Sequence, residues 1–421
     1  MRIHFALAAL AALGLLTQSV EAADYKYPYH DPYLATATTA ILSDDGATAS
    51  VKSTIVRVPG LPGRNNLPTL EGRGDISLAL YRQNRPAPLI FILAGLGSNP
   101  YFGVAPYLAS LFYKEGHHVV VLPAPMSWNF ALSASRRGAP GYAPEDARDL
   151  YEVMQKTLTV LRERHDVKIT VINFMAVSLG GLEGAYLSVI DADERKIGID
   201  KFLLVNPPVD LAYAVKQIDE WNALGSKFGQ DKSERLVAQA VAIVESFAKV
   251  GRDNPAVFDR LAKKLAKFTT EELQFLIGEN LQSQLPELIY VTQAMHDQKV
   301  LSAPKDDKRS RMKEAKSSTF TDYNEKIAVP LWQKQAGASD ADLEKFVQGG
   351  SMTRIVAQLR SNPRVHIMHN VDDFMAERKS IVELKEALGD QVTLYPYGGH
   401  LGNLWYPENK DYFLKYFRPH A

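Results

Sequence analysis

Twelve consecutive residues constrain this chain more than any others: Thr170-Val171-Ile172-Asn173-Phe174-Met175-Ala176-Val177-Ser178-Leu179-Gly180-Gly181. A mostly apolar, partly β-branched run leads straight into a serine, and the residues after it read as a helix. A buried strand, a sharp turn and a helix account for that pattern. Ala176 and Gly180, two positions before and after the serine, are small enough for strand and helix to approach each other closely. A serine at the end of a buried strand is presented where no core side chain competes with it, so Ser178 is the first candidate nucleophile.

The flanking sequence repeats the same rhythm. Leu89-Ile90-Phe91-Ile92-Leu93 is a continuous apolar run ended by Ala94-Gly95-Leu96-Gly97-Ser98, as expected of a strand buried on both faces. Helix-length material from Val104 to Glu115 follows, then a strand at Val119–Leu122, then a long helix opened by Pro144-Glu145-Asp146. The strand entering Ser178, a helix to Ile190 and a strand at Phe202–Asn206 continue the alternation. Parallel strands with helical crossovers make a doubly wound α/β sheet with helices on both faces. Upstream, Val51–Val58 and Ile76–Tyr81 read as strands by alternation, around a Pro/Gly/Asn loop containing Arg73-Gly74-Asp75, read as a turn.

From about Val209 to Asn362 the rhythm breaks and the chain reads as helices. Leu236, Val237, Ala240, Val241, Val244 and Phe247 share one face, and Thr269-Thr270-Glu271-Glu272 is a capping box. Some 150 residues of helix between two sheet strands predict an inserted cap. Within it, the mixed charge run Lys305–Lys313 reads as a solvated loop. The sheet then resumes at Val365–His369, a helix runs from Ala376 to Leu388 and closes on Gly389, a strand follows at Val392–Tyr395, and a terminal helix spans Leu404–Phe417. The predicted divisions are 1–22 leader, 23–208 first core part, 209–362 cap and 363–421 second core part.

Serine alone is a poor nucleophile; it needs a histidine to take its proton and a carboxylate to hold that histidine's tautomer. Asp372 and Asp373 follow the strand ending at His369, and His400 follows the strand ending at Tyr395, in Tyr397-Gly398-Gly399-His400-Leu401-Gly402. All lie beyond the carboxyl ends of parallel strands, the edge where open α/β sheets place their sites. Other candidates are weaker. His366 and His369, three apart on a strand, point to opposite faces and make no metal pair. Asp191, Asp193 and Glu194 read as a solvated turn rather than a calcium loop. Ser302-Ala303-Pro304-Lys305 matches Ser-x-x-Lys in surroundings too charged for a buried acylation site. No cofactor or metal site is expected, and no phosphate-binding glycine loop is present.

These residues resemble the α/β-hydrolase superfamily: the Ser178 elbow, the Ala94-Gly95-Leu96-Gly97 turn in the place of the family's oxyanion turn, Asn370-Val371-Asp372-Asp373, and the Gly-Gly-His loop. Ala176 stands where the family has its first glycine, and Ala94 where a histidine is common. The resemblance implies an α/β-hydrolase-like, mostly parallel sheet with an inserted helical cap. It implies Ser178 as nucleophile, His400 as general acid/base and Asp373 as orienter, since Asp373 falls three residues after Asn370, matching the family's glycine-x-x-aspartate spacing; Asp372 is the competing choice. The backbone N–H groups of Leu96 and Leu179 would form the oxyanion hole. The expected activity is cleavage of a carboxylic ester, with a lipid ester or thioester next; a non-catalytic binding protein and an acyltransferase on the same fold are the alternatives.

Composition bounds the partners. Lysine plus arginine equals aspartate plus glutamate at 48 each, so no net field draws nucleic acid, and a small-molecule or lipid acyl substrate is expected. Met1-Arg2-Ile3-His4 and the apolar run Phe5–Leu16, ending in Val20-Glu21-Ala22-Ala23, read as a secretory signal peptide cleaved after Ala22. No later segment is apolar enough to span a bilayer. Absence of cysteine leaves an exported chain of this size to hold together without disulfides, and a periplasmic or secreted location is expected. The aromatic, proline-punctuated Tyr25–Tyr33 segment reads as an extended arm laid over the surface.

Overall fold

The computed structural model describes residues 25–43, 51–67, 69–247, 255–337, 339 and 342–418. The expected leader lies outside them. Eight strands form one sheet: β1 (Thr54–Val58), β2 (Ile76–Tyr81), β3 (Ala87–Leu93), β4 (His118–Leu122), β5 (Ile169–Val177), β6 (Lys201–Val205), β7 (Val365–Asn370) and β8 (Val392–Tyr395). Their spatial order is β1-β2-β4-β3-β5-β6-β7-β8. β2 runs antiparallel to β1 and β4, and every pairing from β4 to β8 is parallel.

Helices fill the crossovers. α1 (Pro32–Ala37) precedes the sheet, α2 (Val104–Lys114) joins β3 to β4, α3 (Trp128–Ser133) and α4 (Ala143–His165) join β4 to β5, and α5 (Leu179–Glu194) joins β5 to β6. Between β6 and β7 come α6 (Leu211–Phe228), α7 (Gln230–Phe247), α8 (Pro255–Leu265), α9 (Thr270–Gln282), α10 (Leu285–His296), α11 (Lys308–Ala315), α12 (Phe320–Tyr323), α13 (Val329–Ala336), α14 (Leu343–Gly349) and α15 (Val356–Arg360). α16 (Arg378–Leu388) joins β7 to β8, and α17 (Pro407–Tyr416) closes the described chain.

Because successive residues of a strand face opposite ways, the apolar strands feed two cores. Phe91, Phe174, Ala176 and Leu204 pack on one face with α4, α5 and α16, while Ile92, Met175, Val177 and Val205 pack on the other with α2 and α17. This is an α/β-hydrolase-like sheet with helices on both faces. The inserted helices join these same cores: Ile218, Trp221, Leu281 and Leu288 extend the first, and Phe247, Phe258 and Leu261 extend the second. The Thr269 capping box forms as its sequence dictates, with Thr269 Oγ1 accepting from Glu272 N–H at 3.2 Å and Glu272 accepting in return. The stripe on α7 is split: Leu236 and Phe247 are buried, whereas Val237 and Val241 are exposed.

One local expectation is refined and two are corrected. The refined one is the arm: it runs extended along the surface with Lys26, Pro28 and His30 exposed, while Tyr25, Tyr27 and Tyr29 are buried, packed among Tyr395, Trp405 and Tyr406, and it then winds into α1. The neighbours of these tyrosines in space, about 370 residues away, were invisible to a local pattern. The charge run Lys305–Lys313 is not a loop but enters α11, whose first turn Asp307 caps, and Arg311 is buried and donates to the Ala303 carbonyl at 3.0 Å. Asp191 is not solvated. It lies fully buried in the last turn of α5 and accepts from Tyr151 Oη (2.8 Å), Gly198 N (3.0 Å), Ile199 N (3.0 Å) and Arg364 Nη1 (2.8 Å). Its acidic sequence neighbours disguised a buried ion pair that ties α5 to β7.

Two further acids lie buried where α4 meets α5. Glu183 is 2% exposed and its Oε2 has no hydrogen-bond partner among the described residues; Asp146 is 4% exposed and accepts from Gly141 N–H. Burial, then their mutual repulsion, pushes Glu183 well above the usual carboxylate range; burial likewise raises Asp146, against the pull of the Gly141 bond. Such groups hold a proton in the folded state that the unfolded chain releases near pH 4. Their contribution to stability therefore falls as pH rises from about 4 toward the folded-state value, by about 1.4 kcal/mol per pH unit for each retained proton. Glu183→Gln removes one of them, so its stability relative to wild type is expected to increase between pH 5 and pH 8 in urea unfolding; parallel pH profiles would contradict this account.

Candidate active site

β5 runs through the middle of the sheet and delivers Ser178 at its carboxyl end. Ser178 has φ 55° and ψ −132°, a region that side-chain-bearing residues avoid, so the turn is held by its surroundings. Ser178 N–H donates to the Val205 carbonyl at 2.9 Å, and Gly181 N–H donates to the Ser178 carbonyl at 2.8 Å. The small residues around the turn are demanded by backbone proximity. A Cβ on Gly180 would stand 2.7 Å from the Leu93 carbonyl oxygen, and one on Gly184 would stand 2.8 Å from side-chain atoms of Phe174 and Leu204. It would also lie 3.5 Å from Ala176 Cβ, ordinary contact, so the methyl group of Ala176 is accommodated beside Gly184.

β3 ends in the turn at Ala94-Gly95-Leu96-Gly97, which abuts the serine. A Cβ on Gly95 would come within 2.9 Å of both Ser178 Oγ and Leu179 N. The expected oxyanion donors, the N–H groups of Leu96 and Leu179, thus belong to two touching segments, and Leu179 opens α5, whose N-terminal dipole favours negative charge. The end of α9 lies over this turn: Gln284 Nε2 donates to the Ser98 carbonyl at 3.1 Å, and Asn280 sits against Gly97.

β7 and β8 supply the remaining partners. His400 Nε2 lies 2.8 Å from Ser178 Oγ, and His400 Nδ1 lies 3.0 Å from Asp373 Oδ2 and 3.1 Å from Oδ1. An ionised carboxylate only accepts, which assigns the neutral imidazole proton to Nδ1 and leaves Nε2 to accept from the serine hydroxyl. Asp373 is 3% exposed. Burial acts to raise its pKa, yet His400, His369 and the Met375 N–H outweigh that and hold it below the usual carboxylate value. Met375 N–H donates to Oδ1 at 2.9 Å and Asn206 Nδ2 to Oδ2 at 2.7 Å.

Asp372 is turned elsewhere. It accepts from Gly398 N–H at 3.2 Å and Gly399 N–H at 2.9 Å, bracing the loop that carries His400. Burial raises its pKa to about 6, against those two bonds. The structure therefore brings Ser178, Asp373 and His400 together and gives Asp372 to the loop backbone.

Sequence reasoning missed the amides behind these groups. Asn206, at the end of β6 with φ 49°, reaches Asp373; Asn370 donates to the Gly399 carbonyl at 2.8 Å; and Asn403 donates to Asn370 Oδ1 at 2.7 Å. An asparagine one residue past a parallel strand, at the edge that carries the site, was the available signal. Beside His400, Phe374 stacks on Tyr33 at 4.8 Å and meets the edge of Trp221 at 4.9 Å, an aromatic wall 6.2 Å from the imidazole.

The weaker candidates are otherwise engaged. His366 bonds Thr393 and Tyr412, while both ring nitrogens of His369 face backbone carbonyls. Among the described residues no three His, Asp or Glu side chains gather as metal ligands. A polar hollow among the inserted helices, lined by Ser302, Glu314, Asp322 and Lys326 among others, lies apart from Ser178; Ser302 bonds Glu314, and Lys305 pairs with Asp297.

No family model matches the chain, and no curated protein does. Solved structures similar to it include brefeldin A esterase, described as a bacterial homologue of human hormone-sensitive lipase, at 14% identity and a TM-score of 0.42 over 97% of this chain and 89% of that one. Carboxyl esterase 2 from the mycorrhizal fungus Tuber melanosporum is 13% identical, with a TM-score of 0.41, over 93% of this chain and 87% of that one. Pyrococcus horikoshii acylaminoacyl peptidase is 10% identical, with a TM-score of 0.40, over 87% of this chain; the chain spans 41% of that peptidase's length.

The two acids differ in what their loss does. Asp373→Asn is expected to slow fluorophosphonate labelling of Ser178 by roughly 100-fold or more, because an amide no longer fixes the Nδ1–H tautomer. Asp372→Asn is expected to cost about tenfold or less, since its amide oxygen still accepts from one of the two glycine N–H groups and the catalytic carboxylate of Asp373 is untouched. Labelling rates of the two variants check this, and equal mild losses would contradict the assignment.

Proposed function

We propose that this protein is an exported serine hydrolase that cleaves a carboxylic ester through an acyl-enzyme on Ser178. One observation carries the reading: an unbroken hydrogen-bonded path from Ser178 Oγ to His400 at 2.8 Å and on to a buried, charged Asp373 at 3.0 Å. In the first step Ser178 Oγ bonds to the substrate carbonyl carbon while its proton passes to His400 Nε2. The resulting imidazolium is stabilised by Asp373, and the oxyanion by the Leu96 and Leu179 N–H groups. Collapse of the tetrahedral intermediate breaks the C–O bond, and His400 gives its proton to the departing alcohol. Water then repeats the sequence on the acyl-enzyme, with His400 taking the water proton, and releases the acid. The apolar wall of Phe374, Tyr33 and Trp221 beside His400 suits an ester with apolar bulk near its carbonyl, which favours carboxylic esters first and lipid esters second.

The test uses the full-length chain expressed with its leader and recovered from the periplasm or medium, where its N-terminus is expected at Ala23; a cytoplasmic chain with its leader intact contradicts the export. That protein is expected to take a fluorophosphonate at Ser178 and to hydrolyse p-nitrophenyl esters across a chain-length panel. Ser178→Ala should lose labelling and at least about 10⁴-fold of turnover. Folded wild type that takes no label would indicate a binding protein. Product formed with an added alcohol in preference to water would indicate an acyltransferase.

A further inference from the structure

The loop carrying His400 does not hold its own shape. Gly398 and Gly399 have φ of 146° and 53°, and Leu401, with a side chain, has φ 66°. Backbone of this kind persists only where its surroundings determine it. Asp372 and Asn370 grip the loop from the β7 side, at Gly398 N, Gly399 N and the Gly399 carbonyl. The other side is gripped by a segment more than 360 residues earlier in the chain.

α1 lies against the loop with no side chain between the two backbones. A Cβ on Gly399 would stand 2.1 Å from the Pro32 carbonyl oxygen and 2.6 Å from Thr36 Oγ1, and a Cβ on Gly402 would stand 2.5 Å from the Ala35 carbonyl group. The glycines on both sides of His400 are thus the imprint of α1. Tyr27 Oη donates to the Gly402 carbonyl at 2.9 Å, and the His30 ring stacks on Tyr397 at 4.1 Å and 6°. At the centre, His400 N–H donates to Thr36 Oγ1 at 2.8 Å, and Thr36 Oγ1 donates in turn to the Pro32 carbonyl at 2.7 Å. Thr36 is 7% exposed and His400 4%, so water does not substitute for the hydroxyl.

Resting on the reading of Ser178 and His400 given above, we infer that the arm is a component of the active site and that Thr36 is a positioning residue for His400. Its hydroxyl fixes the backbone nitrogen of His400, and with it the origin of the side chain that must meet Ser178 Oγ on one side and Asp373 on the other. Thr36 touches neither substrate nor the reacting atoms. Losing the hydroxyl leaves a buried N–H without an acceptor and lets the loop relax, and a displacement of about 1 Å in a catalytic group can cost on the order of 100-fold.

Three variants of the full chain test this: Thr36→Val, which keeps the shape and removes the hydroxyl, Thr36→Ala, which removes both, and Thr36→Ser, which keeps the hydroxyl alone. Val and Ala are expected to lower kcat and the fluorophosphonate labelling rate by roughly tenfold or more with KM within about twofold, and Ser to recover most of the loss. Val and Ala variants as active as wild type would overturn the assignment, as would Ser falling as far as Val. Hydrogen–deuterium exchange of folded wild type, resolved to single amides, reads the same contact without a variant: the His400 amide should be protected, and rapid exchange there overturns the assignment. Wild type that folds but takes no label at Ser178 would instead sink the hydrolase reading, while labelled wild type beside an equally labelled Thr36→Val sinks only the role of Thr36.

Discussion

The buried charge of Asp373 is the constraint around which this molecule's working edge is arranged. A carboxylate taken out of water is tolerated only where its oxygens are satisfied and a positive or polarisable partner stands close. Here Asn206 comes from the end of β6, the Met375 N–H from the turn after β7, and His400 from the loop after β8. Satisfying one acid therefore fixes three segments relative to one another. It also fixes the tautomer of His400, so that Nε2 faces the serine that β5 delivers. The strained turn at Ser178 and the strained loop at Gly398–Leu401 are the two places where the backbone bends to meet that arrangement.

Much of this was legible in the sequence because strand periodicity is local. The run into Ser178, the run ending at Leu93 and the strands at Val365 and Val392 are read from a few residues each, and their order places Ser178, Asp373 and His400 at one edge without any knowledge of contacts. The choice between Asp372 and Asp373 was legible only through a resemblance, since adjacent acids on a loop carry the same chemistry; in the structure, direction separates them, one toward an imidazole and the other toward glycine N–H groups.

What escaped the sequence depends on partners far along the chain. Asp191 sits among acidic, apparently wet neighbours, and only the approach of Arg364 and Tyr151 reveals it as buried. The arm was legible as an extended segment, but the burial of its tyrosines depends on ring contacts with Tyr395, Trp405 and Tyr406. Glycines 399 and 402 read as turn formers, whereas they mark the path of α1. Arm, inserted helices and sheet contribute side chains to the same apolar cores.

The central claim is that Ser178 forms a covalent bond to the acyl group. Acid quenching during turnover of an activated ester, followed by mass spectrometry of the tryptic peptide 169–195, reads that bond directly. The account predicts a peptide heavier by one acyl group, with fragmentation assigning the increment to Ser178 and with its loss on standing at neutral pH. Sustained hydrolysis with no acylated peptide, or an increment at any other residue, would contradict it.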